Sequence, residues 1–211
     1  MTITKIGNCC LYIEIDGVRI LTDPGTYSTE QDEVVGIDFV LISHEHADHY
    51  HLDSVRAIIK NNPEAVIITN SAVSALLAKE NIPHEVVAHA QDFNMKGVSL
   101  RGWGTKHVAI YKTIEDVENT GYFIGKKLFY PGDAFTLLDQ PVDILALPVA
   151  GPWMKVSEAL DYALAVRPKK CFPVHDGNLR HYGVSHRLPQ AVLAQEGIEF
   201  VALEEGKTVI F

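Results

Sequence analysis

Seven consecutive residues, Ser43-His44-Glu45-His46-Ala47-Asp48-His49, place three imidazoles and two carboxylates directly after the apolar run Ile37-Asp38-Phe39-Val40-Leu41-Ile42. The run is rich in β-branched and aromatic residues and reads as a buried strand. The ligand-bearing stretch therefore begins where a strand ends and a loop opens, a usual place for chemistry on a rigid scaffold. Histidine and carboxylate are the side chains that hold zinc-like cations. Residues two apart in an extended segment point the same way, so His44 and His46 can grip one cation from one side. Asp48 and His49 fall where the chain turns and can face a second. Glu45 points the other way and reads as structural. Any fold for this chain must bring further ligands to the tip of that strand.

The later sequence offers them singly. His107 ends the strand-like stretch Val98 to Lys106, Asp133 ends Tyr130-Pro131-Gly132-Asp133, and His175 sits in Phe172-Pro173-Val174-His175-Asp176-Gly177. Alone, each is weak. Four strand tips carrying His or Asp make a pattern that a surface of chance polar residues does not.

Around these tips the chain reads as strands, then mixed helix and strand, then strands again. Asp16-Gly17 joins strands Cys9 to Ile15 and Val18 to Leu21 as a hairpin. Helical spacing covers Leu52 to Lys60, Ser71 (as cap) to Lys79, Ser157 to Val166 and Ser185 to Glu196. Strands are expected at Ala65 to Thr69, His84 to Ala88, Val98 to Gly104, Gly121 to Ile124, Lys127 to Tyr130, Asp143 to Leu147 and Cys171 to Val174. The tail ends in two strands turning at Glu205-Gly206. That order suits an α/β (α+β) arrangement of two face-to-face sheets with helices outside, in one domain over residues 1–211.

Composition narrows the partners. Apolar residues make up 47% of 211, enough for a substantial core. The net charge of −9 argues against a nucleic-acid surface. Cys9, Cys10 and Cys171 lie in apolar runs and read as small buried hydrophobes rather than a disulfide framework. The N-terminus lacks a signal-peptide core, and no apolar run approaches a membrane span. A cytoplasmic protein without membrane contact is expected, with a homo-oligomer left open.

The ordered set His44-x-His46-x-Asp48-His49, His107, Asp133 and His175 resembles the metallo-β-lactamase superfamily. Thr22-Asp23-Pro24 is similar to its early aspartate motif. The segment from Pro148-Val149-Ala150-Gly151 to Pro173-Val174-His175 is similar to a subgroup of ascorbate-6-phosphate lactonase-like, metal-dependent hydrolases. The resemblance implies a four-layer αββα sandwich with two metals at one edge. His44, His46 and His107 would hold the first, Asp48, His49 and His175 the second, and Asp133 would bridge them. Asp23 would orient a ligand histidine. Where the subgroup often has a histidine, this chain has Asn8, in Gly7-Asn8-Cys9-Cys10.

Two such cations can hold a water between them and lower its pKa toward neutrality, giving a bridging hydroxide that attacks a carbonyl or phosphorus centre. Asp48 would both ligate and pass a proton. The expected activity is hydrolysis of a small, anionic molecule: an ester, lactone or phosphoester. His46 stands where di-iron members carry a glutamate, which favours zinc, with manganese or iron as alternatives. The competing readings are a phosphodiesterase or nuclease, an iron-dependent oxidoreductase, and a metal-binding protein without turnover. Surface or supporting roles are expected for His51, Arg180, His181, His186, Lys106 and Lys112. Trp103 and Trp153 are candidates for core packing or a cleft wall.

Overall fold

The computed structural model describes all 211 residues. The chain runs β1 (Thr2–Gly7), β2 (Cys10–Ile15), β3 (Val18–Thr22), β4 (Phe39–Leu41), α1 (Leu52–Asn61), β5 (Val66–Thr69), α2 (Ser71–Lys79) and β6 (Glu85–Val86). The second half follows as β7 (Asp92–Met95), β8 (Val98–Trp103), β9 (Gly121–Ile124), β10 (Leu128–Tyr130), β11 (Ile144–Pro148), α3 (Val156–Val166), β12 (Lys170–Val174), α4 (Gly183–Gln195), β13 (Glu199–Phe200) and β14 (Thr208–Ile210). One sheet has the order β14-β1-β2-β3-β4-β5-β6, the other β13-β12-β11-β10-β9-β8-β7.

Side chains alternate across a strand, and here both faces are apolar, so each central strand feeds two cores. Phe39 and Leu41 of β4 join Tyr122, Ile124, Leu128 and Phe172 between the sheets. Val40, from the other face of β4, packs with Val55 and Ile58 of α1 and Val73 and Leu77 of α2. Leu145 and Leu147 of β11 likewise pack outward against Ala159 and Tyr162 of α3 and Leu193 of α4. Three stacked cores make four layers, in the order α-β-β-α.

Direction positions the site. β3, β4 and β5 run parallel, as do β10, β11 and β12. β8 is antiparallel to β9, which is antiparallel to β10, so β8 points the same way as β10. The carboxyl ends of β3, β4, β8, β10 and β12 therefore open toward one edge, where open α/β sheets bind ligands.

Two expectations need correction. The cap of α2 is Asn70, whose side chain accepts from Val73 N at 3.0 Å; Ser71 is already helical. The two tail strands are not a hairpin, because β13 pairs with β12 in one sheet and β14 with β1 in the other. β7 (Asp-Phe-Asn-Met) is a further strand, which lacks a β-branched residue and carries little strand signal of its own.

Candidate metal centre

Every predicted ligand sits just past the end of a strand at that common edge. His44, His46, Asp48 and His49 follow β4, His107 follows β8, Asp133 follows β10, and His175 follows β12. The structure brings all seven together. The ligating atoms of His44, His46 and His107 lie within 4.8 Å of one another, as do those of Asp48, His49 and His175. Asp133 stands between the triads. Its Oδ2 is 2.9 Å from His175 Nε2, 3.3 Å from His107 Nε2 and 4.0 Å from His44 Nε2, and its Oδ1 is 3.2 Å from His49 Nε2. Asp48 Oδ2 lies 3.2 Å from His175 Nε2 and 3.6 Å from His49 Nε2.

Gly132, at φ +63°, turns the chain so that Asp133 enters the cluster; a Cβ there would fall 2.3 Å from Asn119 Oδ1. The same Asn119 oxygen accepts from Asp133 N at 3.0 Å. Asp133 is thus held in place through its backbone, which leaves its carboxylate free to face the cluster.

The hydrogen-bond network decides which imidazole nitrogens face inward. Asp23 is fully buried, and a carboxylate only accepts. Its oxygens take Ser43 N at 2.7 Å, Ser43 Oγ at 2.6 Å, the Tyr130 hydroxyl at 2.5 Å and His49 Nδ1 at 2.6 Å. A neutral His49 therefore carries its one proton on Nδ1 and turns Nε2 inward as an acceptor. The one hydroxyl proton of Ser43 goes to Asp23, so Ser43 Oγ accepts from His44 Nδ1 at 3.0 Å, and His44 Nε2 is bare as well. His107 Nδ1 donates to Val108 O at 2.5 Å, with the same result. Such outer partners set the tautomer and basicity of metal-binding histidines.

The inward atoms fit a cation better than they fit one another. His49 Nε2, His107 Nε2 and Asp133 Oδ1 are buried with no hydrogen-bond partner, a costly arrangement that a bound ion relieves. His44 Nε2 and His46 Nδ1 are 3.1 Å apart. Two nitrogens on one tetrahedral zinc stand about 3.3 Å apart.

Charge is arranged accordingly. Burial, then the neighbouring His49, pulls His44 well below the usual histidine range. Burial opposes charge on His175 too, but Asp133 overrides it and raises this imidazole to about 9. Asp133 and Asp23 hold His49 up against burial in the same way. Asp133 itself is buried, yet His49 and His175 keep it well below the usual carboxylate range. Protons thus occupy the positions a cation would take, and cation binding displaces them.

Supporting residues were harder to foresee. Cys9, read as buried filler, places Sγ within reach of His49 and Asp133, all ligand atoms lying within 4.8 Å. Burial, then Asp133, raises its thiol well above the usual range, so it stays protonated. Asn8, with φ +45°, accepts from His175 N through its carbonyl (3.3 Å) and from Gly177 N through Oδ1 (3.0 Å). Its amide donates to Asp48 O at 3.5 Å, tying the loops of Asp48 and His175 together. His51 lies outside the cluster, bonded to Ser54 Oγ at 3.0 Å. Arg180 and His181 are exposed, Trp103 packs in the core, and Trp153 forms a wall of the site.

Replacing Asp23 with Asn retains one acceptor oxygen but turns an NH₂ toward donors that need an acceptor. Cation affinity is expected to fall about 10- to 100-fold. Asn tolerates positive φ, so the φ of +34° at this position should not unfold the chain. Zinc titration calorimetry beside a thermal melt checks this; unchanged affinity contradicts the tautomer argument.

Comparison with known proteins agrees with the fold. The family model described as the beta-lactamase superfamily domain matches residues 2–175. Protein Rv0786c of Mycobacterium tuberculosis is 34% identical over 180 residues, covering 83% of this chain and 84% of that protein. A UPF0173 metal-dependent hydrolase of Carboxydothermus hydrogenoformans is 26% identical over 193 residues, covering 83% of this chain and 84% of its own. Among solved structures, Igni18, a metallo hydrolase of the archaeon Ignicoccus hospitalis, superposes with a TM-score of 0.78 at 20% identity. That match covers 100% of this chain and 97% of that one. With four layers, the strand-tip motifs in order and a family model spanning most of its length, the chain belongs to the metallo-β-lactamase superfamily.

Proposed function

We propose that this chain is a metal-dependent hydrolase whose site holds two divalent cations, zinc being favoured and manganese or iron the alternatives, and that it cleaves a small-molecule ester, lactone or phosphoester. The observation that carries the reading is the meeting of two donor triads at one buried carboxylate, Asp133. His44, His46 and His107 form the all-nitrogen half. Asp48, His49 and His175 form the other, and Asp133 reaches both. Imidazole with carboxylate suits zinc, and the absence of a third carboxylate among the donors disfavours the harder cations.

Cations held there supply Lewis acidity, which lowers the pKa of water and polarises a substrate oxygen. The chain's own residues do the rest. Asp48 is the donor carboxylate open to solvent, its side chain 21% exposed where that of Asp133 is 3% exposed. It is placed to accept a proton from the attacking water and return it to the leaving oxygen. Asp23, Ser43 and Tyr130 keep the imidazoles oriented while charge develops. Trp153 and Ile110 keep bulk water from the inner end of the cleft.

No helix is long and apolar enough to cross a membrane, and the three cysteines are free and buried. Both fit action on a small soluble substrate in the cytoplasm. The test is turnover of p-nitrophenyl esters, lactones and phosphodiesters by metal-replete protein, before and after chelation. The reading predicts hydrolysis that chelation removes and zinc restores. Metal-replete protein inert across the panel contradicts it.

A further inference from the structure

A cavity of about 590 Å³ lies on the outer face of the second sheet, over β7, β8 and β9. Phe93 and Leu100 point inward to the core between the sheets, so Asp92, Asn94, Ser99 and Arg101 beside them point outward. Phe123, register partner of Arg101 on β9, forms an apolar floor. The cavity has no residue in common with the cleft over the donor cluster. Its volume falls within the range of about 300–1,000 Å³ that takes small organic molecules.

The polar groups around it are nearly all donors. Arg101 Nε is buried and has no hydrogen-bond partner. The guanidinium is held instead by the ring of Trp103, its Cζ 5.2 Å from the centroid, and that ring is fixed by its own Nε1 donating to Leu137 O at 2.8 Å. Stacking orients the fork and leaves its N–H groups available. Asn94 Oδ1 accepts from Gly97 N at 2.7 Å, which leaves its NH₂ to face a ligand. Ser99 and Gln140 add a hydroxyl and an amide.

Lys126 closes the rim. It occupies the turn between β9 and β10 at φ +55°, beside Gly125 at φ +59°. Such a turn favours Gly or Asn at both positions, so a lysine is kept there against backbone preference. Its ammonium pairs with no carboxylate, whereas Lys96, on the turn between β7 and β8, is drawn to Asp38 at 2.5 Å. The single carboxylate of the lining, Asp92, stands 3.6 Å from Arg101 Nη1, beyond hydrogen-bond reach, and is 73% exposed. An ion pair of that kind contributes little. On a chain of net charge −9, two cations with unmade hydrogen bonds thus share one concave surface.

We propose that this cavity binds a phosphomonoester of a small organic molecule, as a site separate from the metal centre. A phosphate offers three oxygens to the donors of Arg101, Lys126 and their neighbours, and a bidentate contact to guanidinium is the strongest of these. A bare phosphate would leave most of the volume unfilled, and the organic part would lie over Phe123. The site stands independently of the hydrolase reading.

Calorimetry and heteronuclear NMR on zinc-loaded protein test this with phenylphosphonate, whose C–P bond resists hydrolysis, beside benzoate and benzyl alcohol. Phenylphosphonate is expected to shift the amide signals of Ser99, Arg101, Phe123 and Lys126 and to bind at least about tenfold more tightly than benzyl alcohol. Arg101→Gln is expected to weaken binding at least about tenfold, and Lys126→Gly about three- to tenfold. Glycine suits the left-handed turn, so the second variant keeps the fold even where the first costs stability. Asp92→Asn, which removes a competing carboxylate from an exposed position, is expected to tighten binding about threefold. Absence of shifts at those four signals, shifts confined to His107, Trp153 and His175, or an affinity that neither Arg101→Gln nor Lys126→Gly lowers overturns the assignment. Benzoate binding as tightly as phenylphosphonate overturns the choice of phosphate. None of these outcomes bears on whether the metal centre hydrolyses a substrate.

Discussion

Asp133→Asn is expected to lower turnover on the order of a thousandfold, about 4 kcal/mol of barrier, while the protein stays folded. Asp133 is the point where the two donor triads meet, and three of its contacts are 3.3 Å or shorter: His175, His49 and His107. Asparagine keeps the shape and one oxygen but loses the charge that a pair of dications shares. It also puts an NH₂, which has no lone pair to offer a cation, where a carboxylate oxygen stood. The fold should survive because the backbone at this position is held independently, by Asn119 Oδ1 on its N–H and by Val108 N on its carbonyl. Metal content by elemental analysis, kcat on the best ester and a thermal melt together check this. An unchanged rate removes the bridging role, and a collapsed melt without metal loss makes Asp133 a structural residue.

Lys5→Met is expected to cost about 3–5 kcal/mol of stability, a large share of what a protein of this size possesses. Lys5 points from β1 into the core and is fully buried, as is its ion-pair partner Asp176. Asp176 also accepts from His186 Nε2 at 2.7 Å, and Tyr182 stacks on that imidazole with centroids 4.4 Å apart. Removing the ammonium leaves a buried carboxylate with half its partners, which is far costlier than never having had the pair. Lys5→Met combined with Asp176→Leu should therefore recover much of the loss. Asp176 immediately follows His175, so the pair also anchors the loop that carries a proposed ligand.

The pH dependence of this pair has a definite sign. Burial raises the Asp176 carboxyl, but His186 and Lys5 outweigh it and hold the folded value below the usual range. The stabilisation is therefore present above the unfolded carboxylate value, about 3.9, and is lost as pH falls through the lower folded value. Lys5→Met should move that acid loss to higher pH. Denaturant titrations at several pH values check both statements. A cost below about 1 kcal/mol would mean that the pair contributes no more than a surface ion pair.

What could be read from the sequence divides along a physical line. The clustering of these side chains was legible because His44 to His49 are adjacent and because His107, Asp133 and His175 each end an apolar run. Strand direction then carries such tips to one edge. The stacked sheets were legible from β-branched runs buried on both faces. Long-range partnerships were not. Nothing near Lys5 announces Asp176, 171 positions away, and nothing near Asp23 announces the Tyr130 hydroxyl, 107 positions away. A lysine among apolar residues reads as a strand edge until its partner is seen. Asn8 lacks the histidine of the subgroup, yet its backbone and amide clamp two ligand loops, a role the residue type alone does not announce. The surface roles expected for Arg180 and His181 agree with their places, exposed and outside the cleft.

The central claim is that the two donor triads are two cation positions sharing Asp133. Anomalous diffraction at the zinc edge, on crystals of protein loaded with zinc, tests it most directly. The account predicts two peaks, one among His44, His46 and His107 and the other among Asp48, His49 and His175, each about 2.0–2.2 Å from an oxygen of Asp133. A zinc-loaded crystal with no peak at either triad, or with zinc bound away from Asp133, would contradict it.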